Sequence, residues 1–209
     1  MNVKNITATL VIACCSLSYS HAAPAPKTAK GESVAWTKEP DGFLGIKFGQ
    51  PFPDESSMPS CPRYGGSPDF ETIQSLKVMC FDGYGRDRYG DLWNTPVLGF
   101  RYTTHVMIAD HKPVSFILDS KPDEFSRVVD VLSNRYGPPT SRSHGSVQNG
   151  AGALFDNETL EWVGKKVTIT AKMRSDTVDK SQVFISDKAY WDSREAQREK
   201  AAKDGASQL

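Results

Sequence analysis

The sequence predicts an α+β fold: an antiparallel sheet of hairpins, one central amphipathic helix packed on a face of it, and a polar C-terminal helix. Three observations lead there. Strand-like runs separated by turn residues lie on both sides of one strongly periodic segment. That segment, from Val114 to Thr140, holds a strand, a helix start, an apolar stripe and a helix stop in succession. The last element, Asp187 to Lys203, has helix-forming composition but no continuous apolar stripe.

The chain has 209 residues, enough for one ordinary domain with its own core. Residues 1–22 read as an export signal: Lys4 gives a positive start, Ile6 to Leu17 an apolar run, and Ser20-His21-Ala22 a cleavage site. The run falls well short of the roughly 20 apolar residues that span a bilayer. Val11-Ile12-Ala13-Cys14 also resembles a bacterial lipoprotein box, so a lipid anchor at Cys14 is an alternative to simple cleavage. Both readings send the protein out of the cytoplasm, to the periplasm, the medium or, lipid-anchored, the outer membrane.

With 25 basic and 25 acidic residues the chain is formally neutral, and removal of residues 1–22, which carry Lys4, leaves 24 against 25. No long-range field gathers nucleic acid or an anionic membrane, and neither is expected as a partner. After cleavage Cys61 and Cys80 remain, an even number in an oxidising compartment, which predicts one disulfide. Closing a loop of about 20 residues contributes on the order of 3 kcal/mol by restricting the unfolded chain. Their spacing, without a histidine between them, fits neither a redox pair nor a zinc site.

Residues 23–33 have the composition of a disordered tether, and a single domain is expected from 34 to 186. Phe43 to Gly49 reads as a short strand punctuated by glycine, and residues 50–72, rich in Pro, Ser, Gly and Asp, as a loop held by its disulfide. Leu76 to Phe81 is a strand candidate. Asp82 to Pro96 is turn-rich. From Val97 to Ala109 a long strand is expected, with Leu98, Phe100, Tyr102, Thr104, Val106 and Ile108 on one face. Asp110 to Pro113 turns the chain into Val114 to Leu118.

In the central helix Ser120 is the expected cap and Pro122 the first-turn residue, with Asp123 and Glu124 favoured there by the macrodipole. Phe125, Val128, Val129, Leu132 and Tyr136 form the stripe, and Gly137, Pro138 and Pro139 end it. Ser141 to Gly152 reads as a polar loop. Ala153 to Val163, Val167 to Met173 and Gln182 to Ser186 follow as a meander of hairpins, and residues 187–209 as a polar helix and tail. Both halves carry a hairpin followed by a helix, an internal echo too weak in sequence to define a repeat.

The segment Arg135-Tyr136-Gly137-Pro138-Pro139, with Trp162 and the strand Val167-Thr168-Ile169-Thr170 after it, resembles small exported α+β proteins of Gram-negative bacteria, most without an assigned function. The resemblance covers the second half of the chain, with Phe43 to Gly49 fitting loosely in front. It implies fold and compartment and carries over no catalytic residue.

No nucleophile elbow, Ser-x-x-Lys, P-loop, dinucleotide fingerprint or EF-hand is present in the sequence. Neither catalytic residues nor a cofactor are expected. His105 and Met107 share a strand face beside His111, but a metal site there needs carboxylates from elsewhere, and none is predicted. Asp110 with Asp119, and Asp156 with Glu158, are conceivable acid and base pairs whose pKa values nothing in the sequence separates. The strongest binding candidate is the 82–95 segment, where Tyr84, Arg86, Arg88, Tyr89 and Trp93 lie among glycines and aspartates. Aromatic rings and guanidinium groups on adaptable backbone are the composition of recognition surfaces. The expected function is a noncatalytic envelope protein that binds a protein partner, as an inhibitor, immunity protein or assembly accessory. The alternative is a small secreted hydrolase or carbohydrate-binding protein using the same aromatic segment.

Overall fold

The computed structural model describes residues 36–83 and 89–208. The expected export signal with Cys14, the expected tether, and Tyr84, Arg86 and Arg88 of the candidate binding segment lie outside the described residues. Among the described residues the architecture is α+β, dominated by one large antiparallel sheet and accompanied by three α-helices.

A hairpin of β1 (Gly42–Phe43) and β2 (Ile46–Lys47) comes first, turned by Leu44 and Gly45, both at positive φ. A second small hairpin pairs β3 (Arg63–Tyr64) with β4 (Ser67–Pro68), and α1 (Phe70–Ser75) follows, capped by Asp69, which accepts from the Thr72 N–H. Residues 50–72 were expected to be loop, and here they include a hairpin and the start of a helix. Cys61 and Cys80 form the disulfide, with Cα atoms 4.9 Å apart.

The main sheet begins with β5 (Cys80–Gly83), β6 (Tyr89–Trp93), β7 (Thr103–Ala109) and β8 (Lys112–Ser120). A 3-10 turn at Pro122–Glu124 leads into α2 (Phe125–Tyr136). Then come β9 (Ser141–Gln148), β10 (Leu154–Val163), β11 (Val167–Lys172), β12 (Ser181–Asp187) and α3 (Lys188–Ala206). The spatial order is β5-β6-β7-β8-β12-β11-β10-β9, antiparallel throughout. Each half is thus a four-stranded meander followed by a helix, and the last strands of the two meanders meet in the middle, with Leu118 opposite Val183 and Phe116 opposite Ile185.

Period-two alternation divides the sheet into two faces. One face carries Leu92, Val106, Phe116, Leu118, Leu160, Trp162, Ile169 and Ile185, and all are buried in one hydrophobic cluster. Phe125, Val128, Leu132 and Tyr136 of α2 and Phe43 and Ile46 of the first hairpin belong to the same cluster. Two tryptophans fix the end of α2. Trp36 Nε1 donates to the Tyr136 carbonyl at 2.6 Å and Trp162 Nε1 to that of Gly137 at 2.8 Å. Gly137 takes φ 86°, a left-handed value that a side chain would strain.

Several expectations need correction. Ser120 does not cap α2: it belongs to β8, and the helix opens through the 3-10 turn without a side-chain cap. The strand expected from Val97 begins at Thr103, because Gly99 at φ 90° breaks the extended run before it. Leu76 to Met79 are not strand; β5 begins at Cys80 and runs into the segment read as turns. The polar loop from Ser141 is an eight-residue strand, β9, which shows no alternation because it lies at the sheet margin with nearly every side chain exposed. The opposite margin is closed: Cys61 N–H donates to the Phe81 carbonyl and Phe81 N–H to that of Pro59.

Candidate functional site

The second face of the sheet is built by the alternate residues of the same strands. Strand register sets them in rows. One runs Asp91, His105, Ile117, Phe184, Thr170, Glu161 across β6, β7, β8, β12, β11 and β10. A second runs Tyr89, Met107, Ser115, Ser186 and Thr168, and a third Thr103, Asp119, Gln182, Lys172 and Thr159. Ile117, Phe184 and Met107 are only partly buried, and none belongs to a core cluster. Among the described residues α1 is the one helix whose buried side chain packs on this face, at its β5–β6 margin, where Ile73 meets the disulfide.

A polar chain crosses the face beside these apolar side chains. His105 Nδ1 lies 2.6 Å from Asp91 Oδ1, and Nε2 lies 3.3 Å from Asp119 Oδ2. Asp119 in turn accepts from Gln182 Nε2 at 2.9 Å and pairs with Lys180 at 3.0 Å. The carboxylate of Asp119 holds the Lys180 ammonium above its ordinary pKa, against the opposing effect of burial. Tyr89 stacks on the His105 ring, with centroids 5.4 Å apart and planes 16° from parallel. Burial, then the charges of Asp91 and Asp119, push its phenol up to about 12, so it stays a neutral donor.

This arrangement grips the imidazole at both nitrogens. A carboxylate oxygen stands beside each nitrogen, which fixes the orientation of the ring. The carboxylates do not converge on one point; among the described residues no group of three or more His, Cys, Asp or Glu side chains could hold a metal ion. What the geometry offers is a hydrogen-bonded polar chain flanked by aromatic and aliphatic side chains.

Of the residues singled out from sequence, Tyr89 is 48% exposed and lies on this face. Trp93 shares the face but packs against Phe70, with ring centroids 5.1 Å apart, and against the Cys61, Ile73 and Cys80 cluster, so its ring supports the margin. His105 and Asp119 come together, whereas Asp110 and His111 occupy the turn at the far end of the β7–β8 hairpin from Asp119. Glu158 pairs with Arg142 at 3.1 Å and His144 at 3.5 Å on β9. Asp91, Lys180, Gln182, Ile117 and Phe184 were not anticipated. The alternation of β12 marks its polar face in sequence, but the pairing of β8 with β12, some 65 residues apart in sequence, leaves no local signal.

Comparison of the chain with protein-family models, with curated proteins and with solved structures found no match.

Proposed function

We propose that this is an exported, noncatalytic binding protein of the bacterial cell envelope that holds a protein partner against the second face of its sheet, as an inhibitor, immunity protein or assembly accessory. The observation that carries the reading is that face itself: partly exposed Tyr89, Met107, Ile117 and Phe184 around a fully engaged Asp91–His105–Asp119–Lys180 network. Anchors of this kind, beside polar groups already hydrogen-bonded within their own chain, can be covered by a partner without stripping those groups of their partners. Tyr84, Arg86 and Arg88, the other members of the sequence's binding candidate, lie outside the described residues. The export signal at residues 1–22 supports the envelope location, as does the disulfide; cleavage after Ala22 or lipidation at Cys14 are its two routes. No helix among the described residues is long and apolar enough to cross a membrane.

The test is affinity capture from native envelope extract with the mature chain and a Y89A/F184A variant as baits. The reading expects one partner, identified by mass spectrometry, whose affinity for the variant falls at least about thirtyfold, the loss of roughly 2 kcal/mol typical of an interface anchor. Capture of that partner equally by both baits refutes it.

The Asp91–His105–Asp119 alignment favours one second reading, a small hydrolase or carbohydrate-binding protein acting at the same face. It requires turnover of a glycoside or ester substrate that H105Q abolishes; turnover unaffected by H105Q removes it.

A further inference from the structure

On the other side of the sheet lies a half-open crevice of about 780 Å³, between the β1–β2 hairpin, α2 and the Leu98–Phe100 segment. That volume falls within the roughly 300–1,000 Å³ of small-molecule sites. Its floor is apolar, with Phe100, Leu118 and Leu132 buried, and half-buried Leu44, Leu98 and Val131 form its walls. Leu44 sits at φ 53°, a conformation costly for a leucine at a hairpin position that glycine or asparagine fills freely. The cost is explained if the isobutyl group, which lines the crevice, is what the position needs.

Charge gathers at the mouth, where Lys38, Glu39, Asp41, Lys47 and Arg135 line the opening. Both carboxylates are already engaged. Glu39 accepts from the backbone N–H groups of Lys166 and Val167, and Asp41 pairs with Lys47 at 2.8 Å. Lys38 and Arg135 are exposed, and among the described residues no carboxylate lies within ion-pair distance of either. An apolar slot with two uncompensated cations at its opening matches a ligand that has a hydrocarbon tail and a negative head.

We propose that this crevice binds a single-chain anionic amphiphile, its tail between the first hairpin and α2 and its carboxylate or phosphate between Lys38 and Arg135. The proposal is independent of the partner-binding face. Free fatty acids and lysophospholipids share this chemistry, and the experiment separates them.

The mature chain is titrated with cis-parinaric acid, a fluorescent fatty acid, and the bound probe is displaced with palmitate, palmitoyl lysophosphatidylglycerol or hexadecanol. Saturable one-to-one uptake is expected. Tighter displacement by palmitate identifies a fatty acid site and tighter displacement by the lysolipid a lysophospholipid site, and either supports the proposal. K38E/R135E weakens the anionic ligands at least tenfold while leaving hexadecanol and the thermal midpoint unchanged, and V131W, which fills the slot, abolishes uptake. Absence of saturable uptake overturns the proposal, as does a folded K38E/R135E variant that binds palmitate like the wild type. If V131W fails to fold, the charge variant decides alone.

Discussion

The two faces of the eight-stranded sheet are made by alternate residues of the same strands, yet they have opposite physical characters. On one, Phe116 is fully buried and its ring meets Phe43 at 5.7 Å and Phe48 at 5.5 Å. On the other, its neighbour Ile117 is partly exposed beside Phe184 and a hydrogen-bonded chain through His105. The first face holds the domain together by burial. The second contributes little to the hydrophobic core, and its polar groups hydrogen-bond to one another. Under the proposed function, stability and binding fall to different side chains, one residue apart.

Truncation on the two faces should separate most sharply. Phe116→Ala removes a fully buried ring and is expected to cost about 3–5 kcal/mol in urea denaturation. Phe184→Ala, on the open face, should cost under about 1 kcal/mol. Comparable losses at both positions would erase the distinction.

The disulfide ranks next. It ties the Cys61 segment to β5 under Trp93 and so holds the margin of the open face. Replacing both cysteines by alanine should cost about 3 kcal/mol, mostly through the unfolded chain. If the open face depends on that margin, affinity for the partner falls as well; unchanged affinity would confine the bond to stability.

A smaller effect concerns the covered side. Burial alone would raise the Glu39 carboxyl, but the backbone N–H groups of Lys166, Val167 and Lys165 outweigh it and hold the group below its ordinary pKa of 4.5. A depressed folded-state value means stability that is present above 4.5 and is lost as the pH falls through the lowered folded-state value. Thermal midpoints measured from pH 7 to pH 3 should therefore decline less steeply for Glu39→Gln than for the wild type. Parallel profiles would show that Glu39 does not contribute. Gly164→Ala should destabilise the same corner, since an added Cβ would lie 2.2 Å from Glu39 Oε1.

The covered face was the more legible of the two in sequence. The spacing of Phe125, Val128, Val129, Leu132 and Tyr136 announces an apolar stripe, and all but the half-buried Val129 are buried. Alternation at Val167, Ile169 and Ala171 likewise marks a strand with one dry side. The open face was harder to read, because Asp91, His105, Asp119 and Gln182 come from four strands whose pairing is partly long-range. β9 escaped notice for a related reason: a strand exposed on both sides carries no apolar period. Ser120 illustrates competition between local signals, since a good capping residue was claimed by the ladder, opposite Ser181.

Site-specific photo-cross-linking in native envelope extract tests the division of labour most directly, with the probe placed at Thr170 on the open face or at exposed Arg127 on α2. The account predicts a single adduct of defined mass from Thr170 and none from Arg127. The same adduct from both positions, or from Arg127 alone, would contradict it.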